Sequence, residues 1–289
     1  MLRQLVVTAD DFGLSLPVNE AIDRAHREGI LTSASLMVGE GAAADAVERA
    51  RRLPTLKVGL HVVVTRGRPV SPAASIPDLI DADGRLPQGL VGCGFRYFFL
   101  PRTQRQLERE IRAQFDAFRA TGLALDHVNA HNHLHLHPTV FGMILALGRE
   151  YGMRAVRLPY EPPVLSWRGT GDGLAARLAN SAFLGPWVRL MAGRARRAGL
   201  ISNRYLFGLH DTGRMNGKRV SRLLAQIPPG VSEIYFHPAV AGPPGPRPLP
   251  DPKACAAEFE ALLSSEVRAA LRIHDIHTTS FSALAQRPD

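Results

Sequence analysis

Cysteine is nearly absent: Cys93 and Cys255 are the two in 289 residues, far apart and outside any CxxC spacing. That excludes a disulfide framework and a thiolate zinc centre, and it fits a reducing compartment. Long hydrophobic runs are missing too; nothing approaches the ~18 consecutive apolar residues of a membrane span. The opening stretch, MLRQLVVTADDFG, meets two acidic residues before a signal-peptide core develops. The expectation is a cytoplasmic protein that touches a membrane at most peripherally, at its inner face. With 45% hydrophobic and 21% charged residues, the chain can bury a sizeable core, so a disordered tail or a fibre is also excluded.

Acidic residues are scarce in one place. Overall the chain has 35 basic and 26 acidic residues, a net charge of +9, but residues 154–222 hold 13 basic and three acidic ones, a local charge of +10. Such a segment suits nucleic acid, anionic lipid or an acidic partner, and composition alone does not choose among them. The segment lacks the interleaved aromatics of a single-strand-binding surface, and no helix-turn-helix or zinc-finger spacing occurs. No nucleic-acid partner is therefore expected.

Short apolar runs alternate with amphipathic stretches from end to end, the pattern of βα units around a parallel sheet. Strands are predicted at 4–9, 32–38, 57–64, 125–131, 155–159, 204–210, 233–237 and 274–279. Helices are predicted near 17–28, 43–52, 104–120, 138–151, 217–226 and 253–271. Eight strands with intervening helices predict one α/β domain over 1–289, a closed or slightly irregular (β/α) barrel of the TIM type. No repeat or linker divides it. Residues 166–203 form a basic insert, predicted as two helical pieces split at Gly185-Pro186, with Trp187, Leu190 and Met191 on one side. Residues 238–252 carry seven prolines and read as a stiff extended loop.

Polar residues gather where predicted strands end, the face on which barrels build their sites. The first strand ends in Thr8-Ala9-Asp10-Asp11-Phe12-Gly13, the third holds Gly59-Leu60-His61, the fourth ends at Asn129-Ala130-His131, and the seventh ends at Phe236-His237-Pro238. Each has a bland reading: an Asx turn and helix cap for Asp10-Asp11, a core histidine for His61, a turn residue for His237. Their joint occurrence at one end of four strands favours a site. The run His131-Asn132-His133-Leu134-His135-Leu136-His137 is the densest signal. On an extended strand His131 and His135 would lie about 13 Å apart at ~3.3 Å per residue, too far to share one ion with ~2.1 Å bonds. Either the strand ends at His131, leaving His133 and His135 as supporting or substrate contacts, or the chain curls into a His-x-x-x-His pair. Pro138, opening the next helix, favours the first. One carboxylate and two imidazoles on a divalent ion, with a spare carboxylate as base and a histidine as acid, make a metal-assisted hydrolase.

These four motifs, in this order, resemble the YdjC-like carbohydrate deacetylases, a group that includes the chitooligosaccharide deacetylases. The resemblance runs over 1 to about 160 and from about 230 to the end. It implies a (β/α)-barrel enzyme that removes an N-acetyl group from a glycan with a divalent metal. By position, Asp11, His61 and His131 match the family's metal ligands, Asp10 its general base and His237 its general acid. His133, His135 and Arg157 are expected at the substrate, Arg157 either binding a sugar hydroxyl or orienting Asp10. Zinc is the first choice of metal, with magnesium, manganese or cobalt as alternatives. One departure concerns the histidine strand, which in the family often reads Asp-Ser-His-His-His and here reads Asn129-Ala130-His131-Asn132-His133; His131 survives, and its neighbours suggest a different pocket. The string at 129–138, with His210-Asp211-Thr212-Gly213-Arg214-Met215, is similar to the HpnK branch associated with hopanoid biosynthesis. That implies an N-acetylglucosaminyl glycan or glycolipid as substrate, here on a hopanoid, and a basic insert suited to an anionic membrane surface.

Overall fold

The structure is a computed structural model that describes residues 2–241 and 251–286. Most of the proline-rich loop expected at 238–252 thus lies outside the described residues. Seven parallel strands form one curled sheet: β1 (Arg3–Phe12), β2 (Ser33–Leu36), β3 (Lys57–Val62), β4 (Val128–Ala130), β5 (Tyr205–Phe207), β6 (Gly230–Phe236) and β7 (Ile276–Thr279). Helices cover the sheet, so β1 reads as a near-continuous apolar run and is buried from Leu5 onward. Leu5, Val7, Leu36, Leu60 and Val62 are wholly buried between sheet and helices, and full burial of such a side chain contributes about 1.5–3 kcal/mol.

The strand order is β4-β3-β2-β1-β6-β5. One edge of β1 pairs with β6 from Arg3 to Ala9; the other edge is divided, with β7 on residues 3–6 and β2 from Thr8 onward. This corrects the expected succession of eight strands: the last strand does not stand between its predecessor and the first. The strand expected at 155–159 is likewise reduced to single parallel bridges, Val128 with Val156 and Ala155 with Ile201. Prolines 159, 162 and 163 supply no amide donors for a ladder. The segment still spans the gap, since the Arg157 amide donates to the Val128 carbonyl (3.1 Å) and the Leu206 amide to the Tyr160 carbonyl (2.8 Å). The fold is a (β/α) barrel that is irregular on this side.

The covering helices are α1 (Leu16–Glu28), α2 (Ala43–Arg52), α3 (Leu90–Phe99), α4 (Pro101–Ala120), α5 (Pro138–Glu150), α6 (Pro163–Thr170), α7 (Leu174–Arg197), α8 (Gly217–Leu224), α9 (Pro252–Leu263), α10 (Ser265–Ile273) and α11 (Phe281–Ala285). Helix α11 had no predicted counterpart, and three further features depart from expectation. Helix α3 was not predicted, because two glycines and its aromatic residues make a poor helix signal. The stretch predicted as one helix over 253–271 breaks at Ser264, whose hydroxyl accepts from the Val267 amide and starts a second helix. The insert divides at 171–173, where Gly171 and Gly173 take left-handed conformations, and not at Gly185-Pro186; α7 runs through Pro186. No helix among the described residues is long and apolar enough to cross a membrane.

Candidate active site

Neighbouring residues on a regular strand point to opposite faces, yet Asp10 and Asp11 both line one mouth. The cause is local. The β1–β2 register shifts between Ala9 and Phe12, and Asp11 has φ 65°, so the end of β1 bulges and turns the second carboxylate inward. Gly13 completes the turn at φ 95°, a conformation that side-chain-bearing residues rarely adopt, and a Cβ there would lie only 3.0 Å from the Met37 carbonyl and 3.2 Å from Ala43. The Asn19 side chain on α1 clamps it, accepting from the Gly13 amide (2.8 Å) and donating to the Ala42 carbonyl (2.9 Å).

His61 comes from the end of β3 and His131 directly follows β4. The Asn129 amide oxygen accepts from His61 Nδ1 (2.6 Å), which leaves Nε2 facing Asp11 Oδ1 at 3.3 Å. His131 Nδ1 lies 3.0 Å from the same oxygen. One ligand atom from each of Asp11, His61 and His131 falls within 4.8 Å of the other two, a group able to hold a metal ion. Charge fits as well as distance. Burial opposes ionisation of Asp11, but the His131 charge and the imidazole hydrogen bonds hold its carboxyl well below the usual range. Burial also opposes a charge on His61, but the carboxylates of Asp10 and Asp11 raise its pKa. The pocket therefore favours a cation between these side chains.

Asp10 is held by a fork. Arg157 Nη1 donates to Oδ2 (2.5 Å) and Nη2 to Oδ1 (3.0 Å), while Asn129 Nδ2 donates to Oδ1 (3.1 Å). Burial works against its charge, but Arg157 together with the His61 and His237 charges overcomes it and holds the Asp10 carboxyl well below the usual range. Arg157 is wholly buried, its guanidinium shared with Glu233 (Nη2 to Oε1, 2.7 Å) and stacked over Tyr235. Of the two roles open to Arg157, the geometry carries orientation of Asp10; the expected contact with substrate is corrected, because no part of the side chain reaches the mouth.

The histidine run takes the first of its two expected courses. The strand ends at Ala130, and residues 131–136 form a tight turn with Asn132 and His133 left-handed, so no His-x-x-x-His pair forms. His133 borders the mouth and its Nε2 lies 3.1 Å from the Tyr235 hydroxyl; burial and the Arg157 charge lower its pKa to about 3, so the ring is neutral. His135 is wholly buried and lines no part of the mouth, which corrects its expected place at the substrate. Burial keeps it neutral, and neither ring nitrogen has a hydrogen-bond partner among the described residues. His237 follows β6 and faces the mouth, its amide donating to Glu258 Oε2 (2.6 Å).

The mouth itself has two connected lobes of about 300 and 260 Å³, which share Asp10, His131, Asn132, Thr212 and His237. Cys255 lines the larger lobe, but burial pushes its thiol up to about 11, so it is no nucleophile. Sequence reasoning missed Tyr235, whose hydroxyl meets Thr212 Oγ1 at 2.9 Å, and the linking role of Asn129. Asn129 lay within a quoted motif, and its polarity on an apolar strand was the available signal. Behind it Ser35, His127 and Asp126 form a chain at 3.0 and 2.9 Å in the order of a hydrolytic triad. All three are buried away from the mouth, and Ser35 Oγ accepts from Asn129, so the chain props the site and attacks nothing. Gly59 permits it, since a side chain there would collide with the His127 ring.

The YdjC-like protein family matches residues 4–272. The chain belongs to that family. A carbohydrate deacetylase of Vibrio vulnificus strain YJ016 is 31% identical over 99% of this YdjC-like chain and 98% of the relative. One from Brevibacillus brevis is 43% identical over 54% of this chain, and the match spans 60% of that relative's length. Among solved structures, an Enterococcus faecalis V583 protein described as a cellobiose-phosphate cleavage protein shares the fold, with TM-score 0.77 and 22% identity over 98% of this chain and 99% of that one.

The segment at 210–215 serves the insert of this YdjC-like chain. Asp211 is buried and accepts from Arg177 (2.8 Å) and Arg219 (2.6 Å), and Arg177 also pairs with Glu161 (3.1 Å). Arg157 and Arg177 are thus committed to buried ion pairs, and the positive segment presents fewer charges to a partner than its composition suggests. The apolar side expected on α7 turns inward only in part: Met191 is wholly buried and Trp187 Nε1 donates to the Leu136 carbonyl (2.7 Å), whereas Leu190 is exposed.

Proposed function

We propose that this single-domain protein is a metal-dependent N-deacetylase that hydrolyses the N-acetyl group of an N-acetylglucosamine unit carried on a hopanoid lipid. The observation that carries the reading is the convergence, in one mouth, of the Asp11-His61-His131 group, the ionised Asp10 and His237. Asp11, His61 and His131 would hold a divalent ion, zinc foremost, which would supply Lewis-acid polarisation of an acetamide carbonyl and acidify a water. Asp10 accepts the proton of the attacking water as its oxygen bonds the amide carbon; Arg157 and Asn129 keep that carboxylate ionised and aimed. His237 donates a proton to the sugar nitrogen as the carbon–nitrogen bond breaks, so acetate and a free amine leave. His133, neutral beside Tyr235, is placed to contact the sugar. The relatives named carbohydrate deacetylases support the reaction. The lipid-linked acceptor is supported by the motifs at 129–138 and 210–215, and on this reading the protein works in the cytoplasm, peripheral to the inner membrane face.

The test is acetate release, with and without chelator, from N-acetylglucosaminyl hopanoid in detergent and from chitobiose. Chelator-sensitive release from the lipid is expected. Release from chitobiose alone would assign the site to soluble chitooligosaccharides, and release from neither would remove the deacetylase reading.

A further inference from the structure

Helix α3 is amphipathic in the opposite sense to an ordinary surface helix. Cys93 and Tyr97 face the protein, with the Tyr97 hydroxyl donating to the Val64 carbonyl (2.5 Å). Val91, Phe95, Phe98 and Phe99, at the spacing of one helical stripe, face solvent and are 90%, 61%, 49% and 58% exposed. The phenyl rings touch, Phe95 with Phe99 at 4.7 Å and Phe98 with Phe99 at 4.8 Å between centroids, so the patch is continuous. Water-facing clusters of this kind mark a surface that something covers.

Charge and position select the occupant. From Gly84 to Leu107 there is no acidic residue and there are four arginines, Arg85, Arg96, Arg102 and Arg105. Arg102 pairs with Asp78 (2.8 Å) and Arg96 donates to the Asp78 carbonyl, so Arg85 and Arg105 carry the charge presented to a partner. A second copy of this chain would bring the same positive charge against itself. An anionic bilayer complements it, and the boundary between headgroups and acyl chains accepts phenylalanine side chains from a helix lying in the interface plane. Leu90, the first residue of α3, lines the mouth beside His133 and His237. His137 Nε2 donates to the Gly94 carbonyl (3.0 Å), which ties the helix to the turn that begins at His131. We propose that α3 is a membrane-docking helix that seats its phenylalanine stripe in an anionic bilayer and brings the mouth to the lipid surface. The link between docking and turnover rests on the lipid-linked acceptor proposed above; the docking itself does not.

Co-sedimentation with phosphatidylcholine vesicles, with and without phosphatidylglycerol, tests it on the full chain. The expected result is salt-sensitive binding to the anionic vesicles that falls by about tenfold or more in a Phe95→Ser/Phe99→Ser double variant, with thermal melting unchanged because both positions face water. Arg105→Glu, an independent variant, is expected to weaken binding and flatten its salt dependence. Equal vesicle binding by wild type and double variant would overturn the proposal. So would a wild-type dimer in light scattering that the double variant converts to monomer, which would give the stripe to a second copy. A raised KM for chitobiose in the double variant would overturn it in favour of a sugar platform. Sedimentation is read without turnover, so failure of the deacetylase reading leaves this result standing.

Discussion

At and beneath the floor of the mouth polar side chains are held by one another: Asp10 by Arg157 and Asn129, and, buried behind them, Asn129 by Ser35, Ser35 by His127, His127 by Asp126. At the rim the two helices tied to the turn at 131–137 differ from this floor and from each other. Helix α7 turns Val188, Met191 and Ala195 into the protein and carries both exposed arginines and scattered exposed apolar residues such as Phe183, whereas α3 turns out a continuous cluster of phenylalanines. The difference teaches that a buried network sets geometry for chemistry, and a helix's outer face reports what it meets. Charge could be read from the chain for α7; the direction of its apolar side could not, because that depends on the Phe141 and Val156 surface against which it packs.

The largest effect that separates floor from rim is expected for Asp10→Asn. Losing a general base should lower acetate release by about 100- to 10,000-fold, with bound metal, measured by atomic emission, nearly unchanged; full activity would remove Asp10 from the mechanism. Next is Met191→Ala on the inner side of α7, which should lower unfolding free energy by about 2–5 kcal/mol in urea titration. A smaller loss would mean the insert packs more loosely than its burial implies. Third, Asn129→Ala removes the support of both His61 and Asp10, and metal affinity measured by chelator competition should fall about 10- to 100-fold. The smallest effect is expected on the outer face of α7: Phe183→Ser, at an exposed position, should change stability by no more than about 0.5 kcal/mol in the same titration. A larger loss would show that the outer face of the insert is not free.

Much of the site could be read in advance because its motifs end strands, and strand ends in a barrel share one face. Asp10, Asp11, His61, His131 and His237 indeed meet at one mouth. Arg157 and His135 were harder to place, since an arginine or histidine looks equally suited to substrate and to interior until its surroundings are known. Asn129 and Tyr235 went unassigned for the same reason: their roles exist only through partners on other strands.

The sequence by itself determined the alternation of strands and helices, the barrel class, the residues at the strand ends and the positive segment, because each is a local pattern of residue types. Only the tertiary structure decided the bulge that turns both aspartates inward, the pairing of β6 and β7 with β1, the burial of Arg157 and Arg177, and the outward face of α3. Those depend on contacts between segments far apart in the chain, where packing and charge pairing override local preference.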